Sequence, residues 1–121
     1  MDEKLVLIAD DAAFMRKMIK NALLTAGLTR FIEAKSGQEA VDLYAQQHPD
    51  LVMMDVTMPV KDGLEALKEI MAIDPGAKVV MCSAIGQDGT IMEAIRTGAS
   101  EFIVKPFKTD QIVEAVMGLL L

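Results

Sequence analysis

The sequence predicts an α/β fold, a parallel sheet of five strands with helices on both faces. Short continuous apolar runs, typical of strands buried on both sides, alternate with segments whose apolar residues recur every three or four positions. This alternation repeats through the chain without a long loop or low-complexity stretch, and strict βα alternation demands right-handed crossovers between parallel strands. A length of 121 residues suits one domain, with a core large enough to fold without disulfide or metal staples.

Each element has its own signal. Lys4 to Ala9 is the first apolar run, and Phe14, Met15, Met18, Ile19, Ala22, Leu23 and Ala26 form a helical stripe closed by Gly27. Arg30 to Ala34 is a weaker strand. Ser36-Gly37-Gln38-Glu39 is a capping-box start to a helix that ends at His48-Pro49. Asp50 to Asp55 is the third strand, followed by a helix through Leu64, Leu67, Ile70 and Met71 to the turn at Asp74-Pro75-Gly76. Lys78 to Cys82 is the fourth. A loop carrying Gly86 and Gly89 leads to a helix through Ile91, Met92 and Ile95, with Gly98 as its C-terminal stop. Phe102 to Val104 is the fifth strand, and Ile112, Val113, Val116, Leu119 and Leu120 share one face of the last helix.

Composition excludes several classes. With 52% hydrophobic and 25% charged residues the chain is a packed globular protein, far from the disordered class. A net charge of -6 argues against binding nucleic-acid backbones or anionic membranes. Cys82 is the single cysteine, which precludes an internal disulfide and suits a reducing cytoplasm. The longest apolar runs are too short for a membrane span, and Asp2 and Glu3 give no basic start to a signal peptide. A cytoplasmic location is expected.

In a parallel sheet of this kind, ligands bind beyond the carboxyl ends of the strands. Asp10 and Asp11 follow the first strand, Asp55 ends the third with Thr57 two residues on, Ser83 follows the fourth, and Lys105-Pro106 the fifth. Separately, each has a bland explanation: Asp11 as a helix N-cap, Asp55 and Ser83 as loop residues, Lys105 as a snorkelling stem. One site accounts for all of them together. Three clustered carboxylates repel one another, and a hard divalent cation relieves that repulsion. Mg²⁺ suits an all-oxygen donor set, whereas zinc would want a thiol-imidazole cluster that the distant Cys82 and His48 do not offer. A carboxylate beside such an ion, a lysine and a small hydroxyl is an arrangement for accepting a phosphoryl group. Glycine-rich nucleotide-binding motifs are absent.

Leu7-Ile8-Ala9-Asp10-Asp11, Met54-Asp55-Val56-Thr57-Met58-Pro59, Cys82-Ser83-Ala84 and Phe102-Ile103-Val104-Lys105-Pro106-Phe107 resemble, in order, the hallmark segments of bacterial two-component response-regulator receiver domains. The resemblance covers residues 1–121. It implies a doubly wound (βα)5 flavodoxin-like sheet of strand order 2-1-3-4-5, an order the handed-down family pattern supplies. It implies that Asp55 is the phosphoacceptor for the phosphohistidine of a sensor histidine kinase. Asp10, Asp11 and Asp55 would hold Mg²⁺ with the Thr57 backbone carbonyl. Lys105 and Ser83 would bind the phosphoryl oxygens, and Phe102 would be the aromatic switch. Thr57 and Ile85 match rate-tuning positions, and the bond before Pro106 would be cis.

Within the family, Asp11 to Arg16 and Cys82 to Gln87 are most similar to stand-alone chemotaxis regulators. The stop after the last helix suits such a monomeric signalling domain. Its output would be binding to a flagellar switch protein through the face of helix four, strand five and helix five, with catalysis limited to its own phosphorylation and dephosphorylation. Other readings are another two-component pathway or a receiver excised from a multidomain regulator. A haloacid-dehalogenase-type phosphatase would want an acid where Thr57 stands, and a flavin-binding module would want a hydroxyl-rich loop where Asp10-Asp11 stand. The ten methionines read mostly as core filler, and Met58 and Met92, for which exposure near the site is open, are left unassigned. Cys82 reads as an inert buried hydrophobe and His48 as a helix terminus.

Overall fold

The structure, a computed structural model, describes residues 3–84 and 88–120. Ile85, Gly86 and Gln87, read above as loop, lie outside the described residues. The elements run β1 (Leu5–Ala9), α1 (Ala13–Thr25), β2 (Arg30–Ala34), α2 (Gly37–Gln47), β3 (Leu51–Asp55), α3 (Gly63–Ile73), β4 (Val79–Ser83), α4 (Asp88–Thr97), β5 (Glu101–Val104) and α5 (Thr109–Leu120). All strand pairs are parallel, in the order β2-β1-β3-β4-β5. This is the doubly wound α/β sheet that the sequence predicts. No helix among the described residues is long and apolar enough to cross a membrane.

Alternation along the central strands divides the core in two. Leu7, Ala9, Val52, Met54, Val79 and Met81 pack with Val41, Tyr44, Leu67, Ile70 and Ala94 from α2, α3 and α4. Val6, Ile8, Leu51, Met53, Val80 and Cys82 pack with Ile19, Leu23, Ile112 and Val116 from α1 and α5. Because both faces are covered, β1, β3 and β4 can be apolar throughout, and every residue of all three is buried. The two edge strands, β2 and β5, carry the exposed positions.

Local signals held where their physics is local. Ser36 Oγ accepts the Glu39 amide, while the returning Glu39 carboxylate reaches the Lys35 amide rather than that of Ser36. After α1, Gly27 (φ 87°) and Leu28 donate to the Leu24 and Leu23 carbonyls, and the same paired bonds close α4 at Gly98 and Ala99. Several boundaries differ. Ser83 is the last residue of β4 rather than a loop residue, and Gly89 lies within α4. Asp50 stands outside β3, where its carboxylate accepts the Leu5 amide at 2.7 Å. Of the two methionines left unassigned, Met58 is buried in the core and Met92 is exposed.

Candidate functional site

β1, β3 and β5 deliver their charged residues to one end of the sheet. Asp10 continues the alternation of Val6 and Ile8 one step past β1, and Asp55 continues that of Leu51 and Met53. Both emerge on the α1/α5 side. Asp10 is 1% exposed and Asp55 8%. A carboxylate oxygen from each of Asp10, Asp11 and Asp55 lies within 4.8 Å of the others, with Asp11 exposed at the mouth. The Lys105 ammonium donates to Asp10 Oδ2 at 3.0 Å and to Asp55 Oδ1 at 3.3 Å. The Lys105-Pro106 peptide is cis.

Burial first, and the Asp10 charge next, raise the Asp55 pKa above the ordinary carboxylate value, with Lys105 acting against both. Burial works to lower the Lys105 pKa, but the hydrogen bond to Asp10 and the two carboxylate charges outweigh it and raise it. Cys82, level with Asp55 across the β3–β4 pair, has its thiol pushed up to about 12, chiefly by burial. It is no nucleophile at neutral pH.

Asp11 does not cap α1. Ala12 holds the N-cap position, and the Asp10 Oδ1 atom accepts the Ala12 amide at 2.9 Å. Both oxygens of Asp10 are therefore engaged, one by the turn and one by Lys105. Ser83 is buried at the end of β4, level with Val104, and its carbonyl accepts the Lys105 amide at 2.7 Å. It follows the alternation of Val79 and Met81, the face against which the half-buried Phe102 packs. Ser83 and Phe102 thus lie on the same side of the sheet, opposite the carboxylates. Thr57 is exposed two residues beyond Asp55, and Ile85 lies outside the described residues.

The loop after Asp55 is gripped from two sides. A Cβ on Gly63 would come within 2.0 Å of the Asp55 carbonyl oxygen, and one on Gly37 within 2.0 Å of the Lys61 carbonyl oxygen. Only glycine permits these approaches. Between them Val60 adopts φ 69°, and the Lys61 amide donates to the Pro59 carbonyl, which makes a γ-turn. Lys61 forms an ion pair with Glu69 of α3.

Sequence reasoning missed one buried charge beside the site. Arg16 of α1 is almost fully buried, with Nη1 on the Asp10 carbonyl oxygen at 2.7 Å and Nε on Glu33 Oε1 at 2.9 Å.

The donor set consists of hard carboxylate oxygens, without thiol or imidazole among them, and so fits a hard divalent cation. The response regulator receiver domain profile matches residues 6–117. The chemotaxis protein CheY of Thermotoga maritima is 53% identical over 113 residues, spanning 93% of this chain and 94% of its own. That of Listeria monocytogenes is 54% identical over 111 residues, spanning 92% and 93%. Among solved structures, the CheX-CheY-BeF3-Mg²⁺ complex from Borrelia burgdorferi matches with a TM-score of 0.93 at 34% identity, covering 98% of this chain and 90% of that one. The chain belongs to the response regulator receiver domain family, as a CheY-like, phosphorylation-activated switch of chemotaxis.

Proposed function

We propose that Asp55 is the residue phosphorylated, by a sensor histidine kinase. The observation that carries this reading is the meeting of three carboxylates with one ammonium at the carboxyl end of the sheet. An Asp55 carboxylate oxygen attacks the phosphorus of the donor phosphohistidine, and the P–N bond breaks with its electron pair leaving on the imidazole, which takes up a proton. Asp10, Asp11 and Asp55, with the Thr57 carbonyl, would hold Mg²⁺, which when bound supplies positive charge to the transferring oxygens. Lys105 supplies further charge and is already held beside Asp55 by Asp10.

Once formed, the aspartyl phosphate offers acceptor oxygens to Ser83 and Lys105. Movement of Ser83 then shifts the packing of Phe102 on the shared face and changes binding at the surface of α4, β5 and α5. Met92, Ile95 and Val104 give that surface exposed apolar character, suited to a flagellar switch protein. Thr57 and Ile85 tune the lifetime of the phosphorylated state. In this reading residues 1–121 act as one cytoplasmic, monomeric receiver whose catalysis is confined to its own phosphorylation and dephosphorylation.

Intact-mass measurement after incubation with acetyl phosphate and Mg²⁺ tests the reading. A gain of one phosphoryl group, lost in Asp55→Asn, supports it. Steady phosphate release without a stable adduct favours a phosphatase of the haloacid-dehalogenase type.

A further inference from the structure

We propose that Arg16 is a positioning residue that sets the geometry of the cation pocket by clamping the peptide between Asp10 and Asp11, an inference that rests on the reading of these aspartates as Mg²⁺ ligands. A nearly buried guanidinium is costly unless it is paired and hydrogen-bonded. Arg16 has both kinds of partner. Nε meets Glu33 Oε1 at 2.9 Å, and Nη1 donates to the Asp10 carbonyl oxygen at 2.7 Å. Glu33 is itself held by Lys20, 2.9 Å from its second oxygen.

That carbonyl belongs to the peptide unit joining Asp10 to Asp11. The Asp10 amide is already fixed by the Ala34 carbonyl at 3.0 Å, and its Oδ1 by the Ala12 amide. Those bonds hold the flanking peptides, and the clamp from Arg16 restrains the plane between them. The plane determines where the exposed Asp11 side chain departs from the backbone. Asp11 therefore depends on its neighbour's carbonyl for its aim, and Arg16 holds that carbonyl from behind the pocket without touching the reacting groups.

A fork is needed for this role. Arginine addresses Glu33 and the carbonyl with separate nitrogens in a rigid plane, whereas lysine brings the charge but a single nitrogen. Groups that orient metal ligands typically change affinity 10–100-fold when removed.

The test is calorimetric titration of wild type, Arg16→Lys, Arg16→Met and Tyr44→Phe with Mg²⁺ alone, beside thermal melts and the Mg²⁺ dependence of acetyl-phosphate labelling. The expected result is a Mg²⁺ Kd raised about tenfold or more in both Arg16 variants, a changed Asp11 amide resonance, and a maximal labelling rate near wild type once Mg²⁺ saturates. Tyr44→Phe, which loses a partly buried hydrogen bond to Asp74 at the far end of the sheet, should lower the melting temperature and leave the Kd alone. Kd values within twofold of wild type in the Arg16 variants would overturn the inference, as would a matching rise in Tyr44→Phe. If Arg16→Met does not fold, Arg16→Lys and Glu33→Gln decide by the same criterion. Failure of wild type to bind Mg²⁺ would instead sink the underlying reading of the aspartates.

Discussion

Lys105 stands between Asp10 and Asp55, closer to the first, at 3.0 Å against 3.3 Å. One ammonium thus serves two buried carboxylates, with Asp11 adding a third negative group. The pocket is net acidic, and that imbalance adds to burial, the larger cause, in raising the Asp55 pKa.

Asp55→Asn should therefore raise the melting temperature of the metal-free protein while weakening Mg²⁺ binding and abolishing phosphorylation. The pH dependence follows from the sign of the shift. A carboxyl with a folded pKa above its unfolded 3.8 binds more protons when folded, so its ionisation destabilises as pH climbs from 3.8 through the folded value. The advantage of Asp55→Asn over wild type should be small at pH 4 and larger at pH 7, in melts with EDTA. A variant that melts lower than wild type at pH 7 would contradict the clustering.

Mg²⁺ should stabilise the wild-type protein by about 2.7 kcal/mol at a hundredfold excess over Kd, since the unfolded chain presents no assembled site. Melts with and without the ion measure it. The gain should be much smaller in Asp55→Asn.

Lys105→Met should have the opposite effect on stability from Asp55→Asn. It leaves two buried carboxylates facing each other without their shared cation, and breaking such pairs costs about 3–5 kcal/mol where burial is complete, less here because Lys105 is partly exposed. The raised Lys105 pKa adds a signature in alkali. Its stabilisation is fully present below 10.5 and is lost as pH rises through the folded value. Denaturation at pH 9 and pH 11 should show a steeper loss in wild type than in Lys105→Met.

Ser83→Ala should permit phosphorylation of Asp55 but uncouple it from Phe102. The switch acts through differential affinity, and coupling of about 1–3 kcal/mol is typical. Calorimetry of the phosphorylated variant with a target peptide checks this. Wild-type enhancement of binding would remove Ser83 from the route.

Val60→Gly should stabilise the protein by up to about 1 kcal/mol. A β-branched residue at φ 69° is strained, and at 88% exposed Val60 returns no packing for it. Glycine relieves the strain but adds unfolded-state entropy, so the gain is partial. Urea denaturation measures the difference.

Most of the fold was legible because burial on both faces leaves a continuous apolar signature in β1, β3 and β4, and helix closure at Gly27 and Gly98 is a local matter. The strand order came from family resemblance, since which strands pair is a long-range choice that periodicity does not encode. The site's charged groups were readable from their places after the strands. Arg16 was not, because a buried arginine on an amphipathic helix has no periodic mark and its partner Glu33 sits on another element. The γ-turn at Val60 was hidden for a related reason: valine ordinarily signals a strand.

The spacing of the site along the chain gives it an order of assembly. Asp10 and Lys105 are 95 positions apart, and Asp55 and Lys105 are 50 apart. A polypeptide emerging from the ribosome acquires all three acids before its midpoint, but the cation arrives only with β5. Closing so long a loop costs entropy that only the docked fifth strand recovers. A nascent chain lacking β5 therefore carries the three carboxylates without their ammonium, and the charge balance of the site is completed only when the last strand docks.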